Sequence, residues 1–537
     1  MRKFLLLTIS ILFATNLMAQ VKFLERYEVI GQPFDPVFEI MRVDKGLVNF
    51  RTQVVRTFTG KRVFQFFVLN ENLESSGVIE LNLRDGFDMI GYDTEGNQLY
   101  VLLSKGQTTS AEKYILHVDL ETNIGKEYDA KNLLEVDLIE FLVMDRQAIF
   151  MGDAVGRPVI QVLNMDYGTV QTIQGVYGNN TQVLQIKKLP ELSSFEVVIV
   201  RKGQFKKKET SLLTFDLGGN LVREVKIDNF GGPDQEILEG ILLNQQNYEQ
   251  AFVGAYGQEG RNSYEGVFWM DVNEFGQYDT KLYTLEDFPN FYNYLNEKQK
   301  LKADAYVQKQ IEKEKKLSIR NTFSIRDVRE SEDAYYLYFD QLKVISSRGG
   351  RGNAGYPGSV YRFDRWNRMA NDPLATIIMP SSMASTVVQI YTDYQYISAH
   401  LIKIAKTGQV LWDNAVSYDD FTTSYPMPFG EVAILGDEGY HMYVEDEQLI
   451  LSCMRGPEKV FERLRIDLET PRENERIKTS DPGSLRLIHW YDRFYILTGK
   501  QTIRYQDESG KEQNKEVYFV DKILVDANLY QLENSPD

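Results

Sequence analysis

The sequence is short of the residues that form covalent cross-links. It contains a single cysteine, Cys453, in 537 residues. A chain with one cysteine cannot form an internal disulfide, so its fold must be held by a hydrophobic core. Cys453 lies in the apolar, strand-like run 449–454. This setting favours a buried, inert thiol over the alternative, a reactive nucleophile.

Histidines are also few. The sequence has four, and none lies at metal-ligand spacing from another: His117, His400, His441 and His489. Only a ring-shaped fold that brought them together could make a histidine site. The run 271–276 begins like a calcium loop, but Phe275 and Leu282 stand where oxygen ligands are required. We therefore predict a hairpin turn there, and no metal, cofactor or catalytic residue.

Long hydrophobic runs are confined to the N-terminus. Residues 1–19 have the features of a signal peptide: Arg2 and Lys3, an apolar stretch, and small residues before Gln20. The apolar stretch is too short for a stable membrane span, which disfavours an N-terminal anchor helix. We expect an exported protein, periplasmic or secreted, with no integral membrane segment after leader cleavage.

Basic residues are in the minority, and the net charge is −17. An acidic surface repels nucleic acid and anionic lipid, and keeps an exported protein soluble. Aromatic residues make up 12% of the chain, which favours β structure. No Pro/Gly/Ser-rich linker divides the sequence, so we expect one domain over residues 20–537.

A β-hairpin signature recurs along most of the chain. Its clearest example, residues 212–227, has a strand ending at Asp216, a turn through Gly218 and Gly219, and a second alternating strand. Eight such units end their first strand at Asp119, Asp166, Asp216, Asp271, Asp364, Ala405, Asp467 and Asp507. A further unit is predicted at 57–80. Each aspartate is expected to accept backbone N–H bonds in its turn.

A polar turn and an apolar strand precede most of these hairpins, so two hairpins recur every ~50 residues. This predicts one four-stranded antiparallel sheet per period and an all-β fold, a β-propeller of seven or eight blades. An N-terminal strand is expected to complete the last blade. The alternative is two sandwich or smaller propeller domains in tandem.

Residues 294–317 interrupt this pattern with strong helix formers and no glycine or proline. We expect a helical insertion around residues 288–317, held by an apolar stripe of Leu295, Leu301, Tyr306, Ile311 and Leu317. Its seven lysines, including Lys309 and Lys313, make it the most basic part of the chain. The helix is either a solvated element on the ring or a docking element for an acidic partner or glycan.

The Gly-rich loop 346–359 contains a literal G-x-G-x-x-G. A dinucleotide site requires a helix after this motif, whereas a turn and a strand are predicted here, so we expect no nucleotide. Arg348, Arg351 and Tyr356 are nevertheless candidate binding residues, together with Lys309 and Lys313.

The leader ending LMAQ and hairpins such as LLTFDLGGNLVREVKI and LIKIAKTGQVLWDNAV give the chain a family resemblance. It resembles exported β-propeller proteins of the Bacteroidota. The second hairpin also looks like a quinoprotein-type repeat through Thr407, Gly408 and Trp412. The recurrent tryptophan of quinoprotein blades is absent elsewhere, so no cofactor is carried over.

These features predict a cell-envelope propeller that acts as a protein- or glycan-binding scaffold, or as an accessory of an envelope complex. The alternative is a carbohydrate-active hydrolase or lyase with carboxylates in the central funnel. Such an enzyme would require at least two converging carboxylates with a histidine, tyrosine or arginine beside them.

Overall fold

The computed structural model describes residues 21–526, apart from gaps at 33, 55–60, 107, 180, 203–207, 229, 233, 245–247, 259–262, 347–391, 420, 424–429 and 508. Strands dominate this part of the chain and form eight antiparallel sheets. Each sheet is one blade of a propeller. The predicted all-β propeller is therefore confirmed, with eight blades.

The first strand, β1 (Val21–Ile30), belongs to the last blade. Blade I comprises β2 (Glu39–Val43), β3 (Gly46–Val54), β4 (Arg62–Leu69) and β5 (Ile79–Asn82). Blade II comprises β6 (Asp88–Glu95), β7 (Gln98–Ser104), β8 (Lys113–Asp119) and β9 (Ile124–Asp129). Blade III comprises β10 (Asp137–Met144), β11 (Gln147–Asp153), β12 (Pro158–Asn164) and β13 (Thr169–Thr172). Blade IV comprises β14 (Thr181–Leu189), β15 (Ser194–Lys202), β16 (Lys208–Asp216) and β17 (Leu221–Ile227).

Blade V comprises β18 (Glu236–Asn244), β19 (Gln250–Gln258), β20 (Ser263–Val272) and β21 (Tyr278–Thr284). Helix α1 (Glu297–Ile311) follows. Blade VI comprises β22 (Thr322–Glu330), β23 (Ala334–Ser346), β24 (Thr392–Ala405), β25 (Val410–Ser417) and the short β26 (Thr422–Thr423). Blade VII comprises β27 (Glu431–Leu435), β28 (Glu438–Glu445), β29 (Gln448–Arg455) and β30 (Glu458–Asp467). Blade VIII comprises β31 (Glu475–Ser480), β32 (Arg486–Tyr491), β33 (Phe494–Gln506), β34 (Glu512–Val525) and β1.

The first strand of each of blades I to VII lies at the centre of the ring. In blade VIII, β31 and β32 both pair with β33 and share this inner position, so β32 is counted among the first strands. Strands follow one another across blades I to VII in sequence order, which leaves the first strand at one edge. First strands of neighbouring blades contact each other, as β2 does β6 and β27 does β32. Eight apolar clusters fill the eight spaces between neighbouring blades. The core is therefore a ring of clusters around a central channel.

The ring closes where the N-terminal strand joins the C-terminal one. Strand β1 pairs with β34 from Val21 opposite Val525 to Ile30 opposite Val517. Arg26 lies inside this seam, with a fully buried side chain. It donates hydrogen bonds to Asp521 (2.7 Å), Glu28 (2.7 Å) and Gln501 (2.8 Å). We call this group the closure network.

Turn aspartates behave as predicted in some blades and not in others. Asp119, Asp216 and Asp507 each accept backbone N–H bonds within their turns. In blades III and V this was wrong, because the turn acceptors are Asn164 and Asn273. The carboxylates predicted for that role bind elsewhere: Asp166 pairs with Arg146, and Asp271 accepts from the Trp269 indole. The predicted unit at Asp364 lies outside the described residues.

The helical insertion is confirmed, but α1 is shorter than the predicted 294–317. Asn296 caps its N-terminus by accepting a hydrogen bond from the Gln299 N–H at 3.0 Å. The predicted apolar stripe was partly wrong: Leu301 and Tyr306 are 69% and 56% exposed. Ile311 and Leu317 of the predicted stripe do pack on the core, together with Val307, which lies four residues before Ile311. The helix is thus attached by a face that overlaps the predicted one only in part.

Candidate functional site

The first strands of four consecutive blades bring four charged side chains and one histidine to the central channel. They are Arg42 of β2, Asp327 and Arg329 of β22, Glu431 of β27 and His489 of β32. These five residues are named the axial cluster. Blades VI, VII, VIII and I are neighbours in the ring, and their first strands face its centre. Side chains from all four can therefore meet only around the axis.

Contacts within the axial cluster join residues that are far apart in sequence. The Arg42 guanidinium donates to the backbone carbonyl of His489. Arg329 Nε lies 2.8 Å from Asp327 Oδ2. Arg42 also interacts electrostatically with Glu431, Arg329 and Asp327. The cluster is accessible, because Asp327, Arg329 and Glu431 are 47%, 28% and 25% exposed.

A bulge in β22 separates the roles of two adjacent residues. The register shifts between Ile325 and Asp327, so Arg326 is the extra residue. Such a bulge re-aims the side chains around it. Asp327 is half-exposed in the cluster, whereas the Arg326 side chain is only 8% exposed. Arg326 Nη2 nevertheless approaches Glu431 Oε1 at 3.5 Å. Arg326 is therefore a buried residue that places positive charge next to Glu431.

A buried network holds Arg326 in this position. Arg326 Nη1 donates to Asp340 at 2.8 Å, and Tyr418 donates to the same carboxylate at 2.6 Å. His441 Nε2 lies 3.0 Å from the Tyr418 hydroxyl. Asp340, Tyr418 and His441 are fully buried between blades VI and VII. The guanidinium is thus fixed by charge-assisted hydrogen bonds before any ligand binds.

The two carboxylates of the axial cluster differ in their electrostatic surroundings. Burial raises the pKa of Glu431, and Arg326, Arg329 and Arg42 only partly oppose this effect. Asp327 is more exposed than Glu431 and is paired with Arg329 at 2.8 Å. Neighbouring carboxyl groups in unlike surroundings can divide acid and base roles between them. The raised pKa makes Glu431 a candidate proton donor.

His489 is a neutral member of the cluster. Burial lowers its pKa to about 4. Its Nε2 lies 2.9 Å from the backbone carbonyl of Asp492. Because a carbonyl oxygen only accepts, Nε2 carries the ring proton. The positive charge at the axis accordingly comes from arginine rather than histidine.

This arrangement offers both donors and acceptors for a polar ligand. Arginine guanidinium groups bind carboxylate or sulfate with paired hydrogen bonds. The carboxylates beside them can accept hydrogen bonds from hydroxyl groups. Burial lowers the pKa values of His400 and His441 to about 3, so these histidines are neutral as well. Among the described residues no group of three or more His, Cys, Asp or Glu could hold a metal ion.

Of the sequence-predicted site residues, the structure describes only Lys309 and Lys313. Arg348, Arg351 and Tyr356 lie outside the described residues. Lys309 and Lys313 are exposed, in and just beyond α1. The chain leading to α1 is bonded to an outer strand of blade VI, where Asn293 donates to Asn414 at 2.8 Å. These lysines therefore lie on a different part of the surface from the axial cluster.

Sequence reasoning missed the axial cluster because its members lie on separate first strands. The contact between Arg42 and His489 joins residues 447 positions apart. A weak local signal was present in the run Arg326-Asp327-Val328-Arg329, whose charges are unusual for a strand at the centre of a ring. The predicted burial of the thiol is confirmed: Cys453 is buried, and burial raises its pKa to about 12.

No protein-family model matches the chain, and no curated protein sequence matches it. Solved propeller structures do resemble it. Polysaccharide lyase Uly1 is 9% identical, with 94% of this chain and all of that one covered at a TM-score of 0.39. The β-propeller domain of the Trilobed protease from Pyrococcus furiosus is 10% identical, with coverage of 80% and 98% and a TM-score of 0.32. Acylaminoacyl peptidase from Pyrococcus horikoshii is 11% identical at a TM-score of 0.30, and the match covers 80% of this chain and 52% of the peptidase. These likenesses concern the propeller architecture and carry no activity over.

Proposed function

We propose that this protein is an exported cell-envelope propeller that binds an acidic glycan at the axial cluster. The carrying observation is the cluster itself, in which Arg42 and Arg329 stand beside Asp327 and Glu431 in an accessible channel. The proposed export rests on the signal-peptide features of residues 1–19. In the described residues no helix has the length and apolarity to cross a bilayer.

The mixture of charges favours a glycan over an acidic peptide. A purely anionic peptide would be repelled by Asp327 and Glu431. A uronate or sulfated sugar has one acidic group for the arginines and several hydroxyls for the carboxylates. Arg326, fixed by Asp340, keeps positive charge behind Glu431 when the ligand arrives. The site is therefore preorganised, which lowers the entropic cost of binding.

The proposal is tested with an array of uronate-containing, sulfated and neutral glycans, followed by calorimetry on the best binder. We expect acidic glycans to bind and the double variant R42Q/R329Q to bind them at least tenfold more weakly. A lost charge-assisted hydrogen bond is worth ~1.5–3 kcal/mol, which is roughly a 10- to 100-fold change. Melting temperatures of both proteins are measured to exclude misfolding.

Arg465→Gln is the matched control. Arg465 lies on the outer strand β30, is 47% exposed and pairs with Glu445 at 2.8 Å. The substitution removes an exposed arginine that is not part of the axial cluster, so we expect unchanged glycan affinity. Binding that falls equally in both variants, or an array on which no acidic glycan binds, contradicts the proposal.

A second candidate function is cleavage of the bound glycan. It is favoured by the raised pKa of Glu431 and by the neighbouring Asp327, which is paired with Arg329. Glu431 would protonate the glycosidic oxygen as its bond to the anomeric carbon breaks, and Asp327 would take a proton from the water molecule that bonds to this carbon. Incubation with the best-binding glycan should then release new reducing ends, and Glu431→Gln should abolish this release while retaining binding. If the glycan stays intact after prolonged incubation, cleavage is refuted and binding is the remaining function.

A further inference from the structure

The outer face of α1 carries a row of lysines. Lys298, Lys302 and Lys309 are all exposed. At 3.6 residues per turn they fall on one side of the helix, and the row is ~16 Å long. Lys313, just beyond the helix, extends it and is also exposed. None of the four makes an ion pair within 4 Å with a carboxylate of the described residues.

Two large apolar side chains border this row. Leu301 is 69% exposed and Tyr306 is 56% exposed. They lie on opposite sides of the lysine row when the helix is viewed along its axis. A helix that served only as a solvated strut would need neither side chain on its outer face. We name the lysine row together with Leu301 and Tyr306 the helix surface.

The opposite face fixes the helix to the ring. Val307 and Ile311 pack on the apolar cluster between blades V and VI. Lys300 turns inward and donates to Asn293 at 2.6 Å. Asn293 in turn donates to Asn414 at 2.8 Å and accepts from Lys459 through its carbonyl at 2.7 Å. The helix surface is therefore presented by a rigid support, so little entropy is lost on docking.

We propose that the helix surface docks an acidic, partly apolar segment of a partner protein. The charge argument is direct: residues 297–316 contain seven lysines and four acidic residues in a protein of net charge −17. That overall charge disfavours anionic membranes and nucleic acid, which would meet the rest of the surface. An acidic peptide about as long as α1 would contact the lysine row and not the acidic remainder of the surface. The exposed Leu301 and Tyr306 select segments that also carry apolar side chains.

The test uses two fluorescein-labelled 16-residue peptides, (Glu-Glu-Leu-Glu)4 and (Glu-Glu-Ser-Glu)4, with fluorescence anisotropy at low salt. We expect the leucine peptide to bind about tenfold more tightly than the serine peptide. The variant K298Q/K302Q/K309Q/K313Q should weaken both peptides at least tenfold. The variant L301S/Y306S should remove the advantage of the leucine peptide alone. All the substituted side chains are exposed, and glutamine is a good helix former, so the helix should be preserved. Circular dichroism checks this.

A matched control neutralises four exposed lysines elsewhere, K126Q/K226Q/K478Q/K511Q. We expect this control to bind both peptides like the unaltered protein. The proposal is overturned if both quadruple variants lose affinity equally, since the attraction is then nonspecific. It is also overturned if vesicles containing phosphatidylglycerol bind through the same lysines in preference to the peptides. Self-association that sedimentation shows to depend on these lysines would instead make a second copy the occupant. The axial cluster takes no part in any of these outcomes.

Discussion

Replacing Arg26 by methionine should weaken the closure of the ring in a pH-dependent way. The Arg26 side chain is fully buried between Asp521 and Glu28, and its guanidinium lies 4.4 Å from the Phe519 ring. Methionine retains much of the packing and removes the charge. Glu28 keeps Lys515 at 2.6 Å and Arg472 at 2.7 Å, so it stays compensated. Asp521 loses its ion pair with Arg26, its single ion pair within the described part of the chain.

The magnitude has two parts. The lost hydrogen bonds to Glu28 and Gln501 cost ~2–3 kcal/mol at both pH values. Burial raises the pKa of Asp521 to about 7 even with Arg26 beside it. Below that pH its carboxyl is protonated in both proteins and adds nothing. Above it, only the unaltered protein can stabilise the carboxylate, so the variant loses a further ~1.4 kcal/mol per pH unit. At pH 8.5 the total is ~4–5 kcal/mol, as expected for a broken buried pair.

The assay is urea unfolding followed by tyrosine and tryptophan fluorescence at pH 6 and pH 8.5, with hydrogen exchange on β1. Arg472→Met is the control, because Arg472 contacts the same Glu28 but is 43% exposed. An exposed pair is worth under ~1 kcal/mol, so this variant should be nearly neutral at both pH values. A pH-independent penalty in R26M, or one no larger than the control's, would refute the reasoning.

Three further outcomes are expected. Because the folded-state pKa of Asp521 is raised to about 7, it lowers stability as pH rises from ~4 to 7, and D521N should flatten the measured unfolding free energy over that window. Gly254→Ala should cost ~3 kcal/mol in urea unfolding, because the added methyl would lie 1.9 Å from the Glu239 carbonyl oxygen, whereas Gly232→Ala, 3.4 Å from the nearest atom, should be neutral. Cys453 should resist iodoacetamide in the native protein and react in urea, since burial raises its pKa to about 12; rapid native labelling would contradict this.

Most of the fold was predictable because its determinants are local. The turn through Gly219, whose φ is +81°, and the alternation on either side of it specify one hairpin. Repetition of that pattern fixes the strand number per blade. The helix was predicted from uninterrupted helix formers, but its attached face was predicted only in part, through Ile311 and Leu317. Whether the helix packs through the face of Leu301 or through that of Val307 depends on which side of the blade the insertion contacts.

The candidate site was not predictable for a different reason. Arg42, Asp327, Glu431 and His489 come from four blades, and no local pattern links them. Their meeting depends on the closure of the ring and on the bulge at Arg326, which separates a buried support from an exposed ligand group. The predicted residues of the Gly-rich loop, Arg348, Arg351 and Tyr356, stay a prediction.

The sequence by itself determined the repeating hairpins, the buried cysteine and the basic helix of an acidic protein, because turns, strand alternation and helix propensity act within a few residues. Only the tertiary structure decided that eight blades close through β1 and that charged side chains converge on the axis. Convergence is a property of ring closure, which brings the Arg42 guanidinium onto the backbone carbonyl of His489 across 447 positions.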